Sequence, residues 1–291
     1  MPTHAFRILN VFAETTLGGN PLAVFEDARG IDDTTMQALA LQFNLSETTF
    51  VLPSDRATAR VRIFTPTFEM PFAGHPTLGT AHVVRALMQA GDAVTLEMGA
   101  GVIPVEARGD TWTLQANAPR VRAVEATRAE LAAMLGLAEA DVAPDPAAPP
   151  LWIDTGTEQL VIPLAAAEAV RRVAPRPDLL LRHGHTGQRA MAYVFAPVTP
   201  GPAAAGGERA IVARFFFPKH GAAIEDPGTG SACANLGGWL IATGASLPQR
   251  ITIAQGDAVG RPCRLGLEIT AERRIRVSGR VVELARGTVT L

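Results

Sequence analysis

Two stretches of the chain carry the same order of charged, apolar and turn-forming residues, and each ends in a pattern able to hold an anion. Arg62-Ile-Phe-Thr-Pro66 reappears as Arg214-Phe-Phe-Phe-Pro218, and Glu69-Met-Pro-Phe-Ala-Gly74-His75 reappears as Glu225-Asp-Pro-Gly-Thr-Gly230-Ser231. In both copies a strand leads into a loop, a glycine turn and a helix. Gly74 and Gly230 therefore fall at helix starts, where backbone N–H groups lack intrahelical acceptors and the helix dipole is positive. Glycine there lets the chain turn sharply and leaves room for a carboxylate to reach those N–H groups. A single copy reads as an ordinary strand-to-helix turn. The same turn met twice argues for paired ligand contacts, one to a substrate carboxylate and one to a developing enolate-like charge, in one cleft.

The residues beside the two glycines differ. His75, with an unperturbed pKa of about 6.5, can act as acid, base or hydrogen-bond donor, or simply cap its helix. Ser231 can cap its helix through Oγ and still point a donor at a ligand. Asp226, where the first copy has Met70, precedes a proline. It can bond its own turn, orient a neighbour, or accept from a substrate amine or hydroxyl.

The elements that must position these groups are legible as short apolar or β-branched runs and as helical spacing. The strands expected are Phe6 to Val11, Ala59 to Phe64, Val94 to Met98, Thr111 to Gln115, Ala190 to Phe195, Arg214 to Phe217 and Ile251 to Ala254. Helices are expected over Asp32 to Asn44, Thr77 to Ala90, Arg128 to Leu137, Ala165 to Val173 and Ala232 to Thr243. The class is α+β with strands in excess. The repeated arginines are 152 positions apart and the repeated glycines 156, so the later copy holds four extra residues in Lys219 to Ile224, read as a loop insertion. A period of that size points to two similar lobes. The first is expected over 1–118, with the C-terminal strand at about 280–291 a candidate to complete it, and the second over 119–279. Asp141 to Pro150 and Pro197 to Gly207 read as surface loops.

A chain of 291 residues with 47% hydrophobic content can bury a large core. Its 26 basic and 28 acidic residues balance to a formal charge of -2 with no basic block, which argues against nucleic acid or anionic lipid as partner and for a small neutral or anionic ligand. The N-terminus lacks a signal-peptide pattern and no stretch reaches the ~18 apolar residues of a membrane span, so a cytoplasmic location is expected. Cys233 and Cys263 are the only cysteines, too few for a disulfide scaffold and without zinc-site spacing.

Gly19-Asn-Pro-Leu-Ala-Val24, Asn44-Leu-Ser-Glu-Thr-Thr-Phe50, Phe72-Ala-Gly-His-Pro-Thr77 and Glu225-Asp-Pro-Gly-Thr-Gly-Ser231 resemble the motifs of the phenazine-biosynthesis isomerase (PhzF-like) family, in that family's order and over nearly the whole chain. The resemblance implies a diaminopimelate-epimerase-like fold, with two similar lobes, each a curled mixed sheet around a central helix, and an active site in the cleft between them. It implies that Glu47 takes a proton from one substrate carbon and returns it to another, and that His75, Asp226 and Ser231 bind or polarise the substrate, beside Gly74 and Gly230, which the repeated turn already assigns to binding a small carboxylate. No metal or organic cofactor is implied, and relatives imply a homodimer. The racemases of the same superfamily place a cysteine at each glycine turn, whereas Ala73-Gly74-His75 and Thr229-Gly230-Ser231 contain none. That weighs against two-cysteine racemisation. Glu158, in Asp154-Thr-Gly-Thr-Glu158, is a rival carboxylate. Two other readings are an amino or hydroxy acid racemase using Glu47 with His75, and a binding module that kept the fold without turnover.

Overall fold

The computed structural model describes residues 1–143, 145–187, 189–198 and 209–291. Of the two expected surface loops, residue 144 of the first and 199–207 of the second lie outside the described residues. The chain divides into two compact units, one of Met1–Gln115 with Ser278–Leu291 and the other of Ala116–Val277.

The first unit contains β1 (Thr3–Val11), β2 (Asn20–Phe25), α1 (Asp33–Phe43), β3 (Glu47–Leu52), β4 (Ala59–Phe64), β5 (Glu69–Met70), α2 (Gly74–Met88), β6 (Ala93–Met98), β7 (Gly101–Arg108) and β8 (Thr111–Gln115). The second contains β9 (Arg120–Ala123), α3 (Arg128–Leu135), β10 (Leu151–Asp154), β11 (Glu158–Pro163), α4 (Ala167–Arg172), α5 (Pro177–His183), β12 (Ala192–Pro197), β13 (Arg209–Lys219), β14 (Ala222–Asp226), α6 (Gly230–Ala242), β15 (Gln249–Gln255) and β16 (Cys263–Ile269). A last long strand, β17 (Ile275–Thr290), begins in the second unit and, from Ser278, belongs to the first.

In the first unit β17 pairs antiparallel with β1, β1 with β2, and β3 with β4, while β2–β3 and β4–β6 are parallel. Antiparallel pairs β6–β7 and β7–β8, and a β8–β17 pairing, close the strands into a ring. Inside it runs α2, packed against β1, β2, β3, β4, β6, β7 and β8. Such a helix must be apolar or self-satisfied all round. Leu78, Ala81, Val83 and Val84 are fully buried, Thr77 Oγ1 donates back to the Ala73 carbonyl (2.7 Å), and Thr80 shares a hydrogen bond with Thr49 (2.8 Å). Gly79 is required by the close approach, since a Cβ there would lie 2.5 Å from Leu22 Cδ2. Outside the ring, α1 seals Phe25, Phe50 and Phe64 with Met36, Leu39 and Ala40.

The second unit repeats the order of pairings. β10–β11 is antiparallel, β11–β12 parallel, β12–β13 and β13–β14 antiparallel, β13–β15 parallel and β15–β16 antiparallel. Here α6 is the enclosed helix, packed on β9, β10, β11 and β16. Gly238 lets it approach Ile153 and Pro119, which a Cβ would meet at 2.7 and 2.8 Å. The helices α3, α4 and α5 cover the other sheet face, burying Leu131, Met134, Leu135, Val170 and Leu180 against Trp152, Leu160, Ile162, Val194 and Phe216.

The repeated Arg and Glu turn out to be a structural staple. Arg62 holds Glu69 through two bonds of 2.7 Å and lies over Phe64, 5.0 Å from the ring centroid. Arg214 holds Glu225 at 2.7 and 3.1 Å and lies 4.8 Å over Phe216. The four extra residues of the later copy lengthen a hairpin rather than a loop. β13 pairs with β14 from Phe215↔Asp226 to Lys219↔Ala222, whereas β4 meets β5 only at Ile63↔Met70 and Phe64↔Glu69.

Burial separates the two staples energetically. Glu69 is 42% exposed and its pair is worth little, whereas Glu225 is 5% exposed and Arg214 also donates to the carbonyls of Val170, Arg171 and Val173 at the end of α4. Arg214→Met is expected to lower unfolding free energy by about 3 to 5 kcal/mol, by stranding a buried carboxylate. Arg62→Met is expected to cost about 1 kcal/mol or less. Urea titration of both variants checks the contrast, and equal losses would contradict it.

Candidate active site

Glu47 is positioned by the way α1 ends. The helix begins with Asp32 accepting from the Thr35 N–H (2.7 Å) and stops at Asn44, whose left-handed φ of 50° turns the chain out. Three residues later Glu47 opens β3, opposite Leu22 of β2 in parallel register. Thr49, two residues on, faces Thr80 of α2, so Glu47 shares that inward side by strand alternation. His75 stands in the first turn of α2, and its Nε2 lies 3.3 Å from Glu47 Oε2. The first unit thus brings Glu47, Gly74 and His75 together, as expected from the motifs.

The state of His75 follows from its surroundings. Its ring hydrogen-bonds the backbone of Pro21, which has only a carbonyl to offer, and this bond falls to Nδ1 because Nε2 makes no aligned bond. Nδ1 therefore carries the proton and Nε2 presents a lone pair toward Glu47. Burial outweighs the Pro21 bond and pushes the His75 pKa down to about 3, so the ring is neutral throughout the ordinary range. Gly19 holds the segment before Pro21 in place, with φ at 79° and no room for a Cβ, which would lie 2.7 Å from the Val11 carbonyl oxygen. His75 is thus a fixed acceptor rather than a cap or a cation.

In the second unit Asp226 ends β14. Its carboxylate accepts from the Thr229 hydroxyl, which in turn accepts from Gln255 Nε2 at 3.0 Å, while the same Gln255 nitrogen donates to the Asp226 carbonyl at 2.9 Å. Gly230 opens α6 and Ser231 follows it. Ser231 Oγ does not cap the helix; it accepts from Gln159 Nε2 at 2.9 Å. Among helices of eight residues or more, α1 and α3 are capped by their own Asp32 and Thr127, whereas α2 and α6 have no side-chain cap. The helix starts at both glycine turns keep N–H groups that their own caps do not take.

Strand register shows which residues correspond between the copies. Arg62 pairs with Phe50 and Phe64 with Thr48; Arg214 pairs with Val194 and Phe216 with Ala192. The residue before Thr48 is Glu47, and the residue before Ala192 is Met191, which is buried. The second copy therefore carries no acid or base at the position of Glu47, and Ser231 in place of His75. Glu158 is engaged with Arg122 at 2.8 and 3.0 Å. Burial raises both thiols, Cys233 and Cys263, well above the usual range, which disfavours thiolate chemistry. Among the described residues no group of three or more His, Cys, Asp or Glu is arranged to hold a metal ion, and no helix is long and apolar enough to cross a membrane.

Gln159, Asn235 and Thr155 had no signal in the sequence, yet they form the buried polar chain that ends on Ser231. Only the pairing of α6 with β11 reveals them, because a glutamine in a strand and an asparagine in a helix read as unremarkable polar residues on their own.

Residues 9–287 match the family model described as phenazine biosynthesis-like protein. Over 98% of its length the chain is 38% identical to an uncharacterised isomerase of Pasteurella multocida, covering 93% of that protein. It is 34% identical over 99% of its length to the whole of trans-2,3-dihydro-3-hydroxyanthranilate isomerase of Pseudomonas fluorescens. A crystal structure of a phenazine biosynthesis protein of the PhzF family from Bacillus anthracis superposes over 100% of both chains with a TM-score of 0.87 at 24% identity, which supports the fold of mixed sheet and few helices. Match length, identity and fold agree, and the chain belongs to the PhzF-like phenazine-biosynthesis family and is an isomerase.

Proposed function

We propose that the chain is a cofactor-independent isomerase that moves a proton within a small unsaturated or cyclic carboxylic acid, with Glu47 as the carrier. The observation that carries this reading is the pairing of Glu47 with a neutral His75, 3.3 Å away, while Met191 occupies the corresponding position of the other copy. One carrier removes and returns the proton, so departure and return occur on one face of the substrate. A racemase using Glu47 with His75 would need the ring to take and hold a proton, which its burial and pKa of about 3 disfavour, and the copy containing Met191 and Ser231 offers no base in these positions. His75 presents a lone pair, so it accepts a hydrogen bond from the protonated carboxyl and offers nothing to the carboxylate. It thereby favours the form of Glu47 that must survive between the two proton transfers. Gly74, Gly230 and Ser231 are assigned to binding the substrate carboxylate and the charge that develops on it, and Asp226 to a substrate amine or hydroxyl.

The substrate class follows from the same groups: an acid with one ionised carboxylate and a conjugated system that can spread negative charge. The dihydro-hydroxyanthranilate named for the Pseudomonas fluorescens relative has that chemistry and is the first compound to test. In deuterated water, turnover of it by Glu47→Gln is expected to fall by about 10²- to 10⁴-fold, because the amide keeps the shape of the side chain but cannot carry a proton. Undiminished turnover would remove Glu47 from the mechanism.

The neutral state of His75 has a separate consequence for stability. In the unfolded chain the ring takes up a proton near pH 6.5, whereas in the folded protein it stays neutral to about 3. Below pH 6.5 the unfolded state binds the extra proton, so stability falls as pH is lowered toward 3, by up to about 1.4 kcal/mol per pH unit from this residue. Comparing urea unfolding at pH 7.5 and 5, His75→Gln is expected to lose less stability than the unsubstituted protein, by up to about 2 kcal/mol. Parallel losses would show that the ring is protonated in the folded state.

A further inference from the structure

The direction of every hydrogen bond in the chain of side chains behind Ser231 is fixed by backbone groups whose roles are unambiguous. The Thr155 N–H donates to Asn235 Oδ1 at 2.9 Å, and the Thr155 hydroxyl donates to the same oxygen at 2.7 Å. The other end of that amide, Nδ2, donates to the Thr157 carbonyl at 2.9 Å and to Gln159 Oε1 at 2.8 Å. Gln159 is therefore locked with its nitrogen toward Ser231, where Nε2 donates to Oγ at 2.9 Å. Gln159 is 1% exposed, Asn235 0% and Thr155 7%, so water does not compete for these bonds.

We infer that Gln159, held by Asn235, is a positioning residue that makes Ser231 a hydrogen-bond donor to the substrate. An incoming N–H occupies a lone pair of Ser231 Oγ, and the hydroxyl proton is left to be given to a substrate oxygen. The corresponding positions of the first unit hold Leu22 and Gly79, which can form no such chain. Leu22 pairs with Glu47 as Gln159 stands before Leu160, the partner of Ala192, and Gly79 is the sixth residue of α2 as Asn235 is of α6. There the residue after the glycine is oriented by the Pro21 carbonyl instead, which leaves Nε2 of His75 as an acceptor. The two copies have thus been given opposite hydrogen-bonding polarity at equivalent positions, acceptor at His75 and donor at Ser231.

The inference rests on the proposed reading that Ser231 touches the substrate, and its test separates the two. In the first arm, kcat/KM is measured with trans-2,3-dihydro-3-hydroxyanthranilate. Gln159→Glu keeps the bond from Asn235 but presents an acceptor to Ser231, which turns the hydroxyl proton inward. It is expected to lower kcat/KM by about 10- to 100-fold, as Ser231→Ala does, with no further loss in the double variant. Gln159→Met, which neither donates nor accepts at Ser231, is expected to cost less than Gln159→Glu. A structural role alone would make the losses at Gln159 additive with that of Ser231→Ala, and that result overturns the inference.

The second arm needs no turnover. By nuclear magnetic resonance of the ¹⁵N-labelled protein, the Gln159 side-chain amide protons are expected to exchange slowly with solvent and to shift in Ser231→Ala. Exchange at the rate of an exposed glutamine overturns the inference whether or not the compound is a substrate. Slow exchange and the shift in an inactive protein support the positioning of Ser231 and count against the proposed substrate.

Discussion

Each unit is organised by a helix that strands enclose, and this enclosure dictates what the helix residues can be and what they can do. A helix in that setting cannot send its polar side chains to water, so every polar group on it must find a partner on a neighbouring strand. Thr80 meets Thr49, His75 meets Pro21, Asn235 meets Thr155, Thr157 and Gln159. Those partnerships hold the side chains in single orientations. The glycines that let the strands come close, Gly79 and Gly238, serve the same end by allowing the helix to be enclosed at all.

The two copies share a scaffold and differ in chemistry. The Arg–Glu staple and the glycine turn recur with the same partners, and the pairing order of the strands recurs with them. Glu47 against Met191, His75 against Ser231 and Gly79 against Asn235 are where the copies part. A carboxylic acid beside an imidazole marks one copy, and a buried chain of polar side chains the other. The buried thiols belong to packing.

The parts legible in the sequence were those fixed by local chemistry. Asp32 and Asn44 marked the two ends of α1 because capping and the left-handed turn act within a few residues. Ala59–Phe64 and Thr111–Gln115 stood out as apolar alternation. The helical spacing of α2 reads from Thr77, while the glycine turn places its start at Gly74, where it lies; Pro76 falls in the first turn, where its missing N–H costs no intrahelical bond. The short helix α5 has no distinctive pattern, because Leu179, Leu180 and Leu181 between charged neighbours read equally as a buried strand. For the site, the glycine turns announced themselves by repetition, while Glu47 rested on resemblance. Its approach to His75 depends on the β2–β3 pairing, and the chain behind Ser231 joins residues 72 to 80 positions apart, distances at which sequence pattern carries no information.

The long strand β17 bears on the order in which the molecule can be assembled. Its segment Val281–Thr290 supplies the partner that β1 needs along its whole length, from Val11 back to Thr3. During synthesis those residues leave the ribosome only after the entire second unit has been made. The N-terminal unit, although first in the chain, therefore waits with an open ring and an unpaired edge at β1 while the second unit has everything it needs to fold. The enclosure around Glu47 of β3 and His75 of α2 is therefore completed only when β17 pairs with β1.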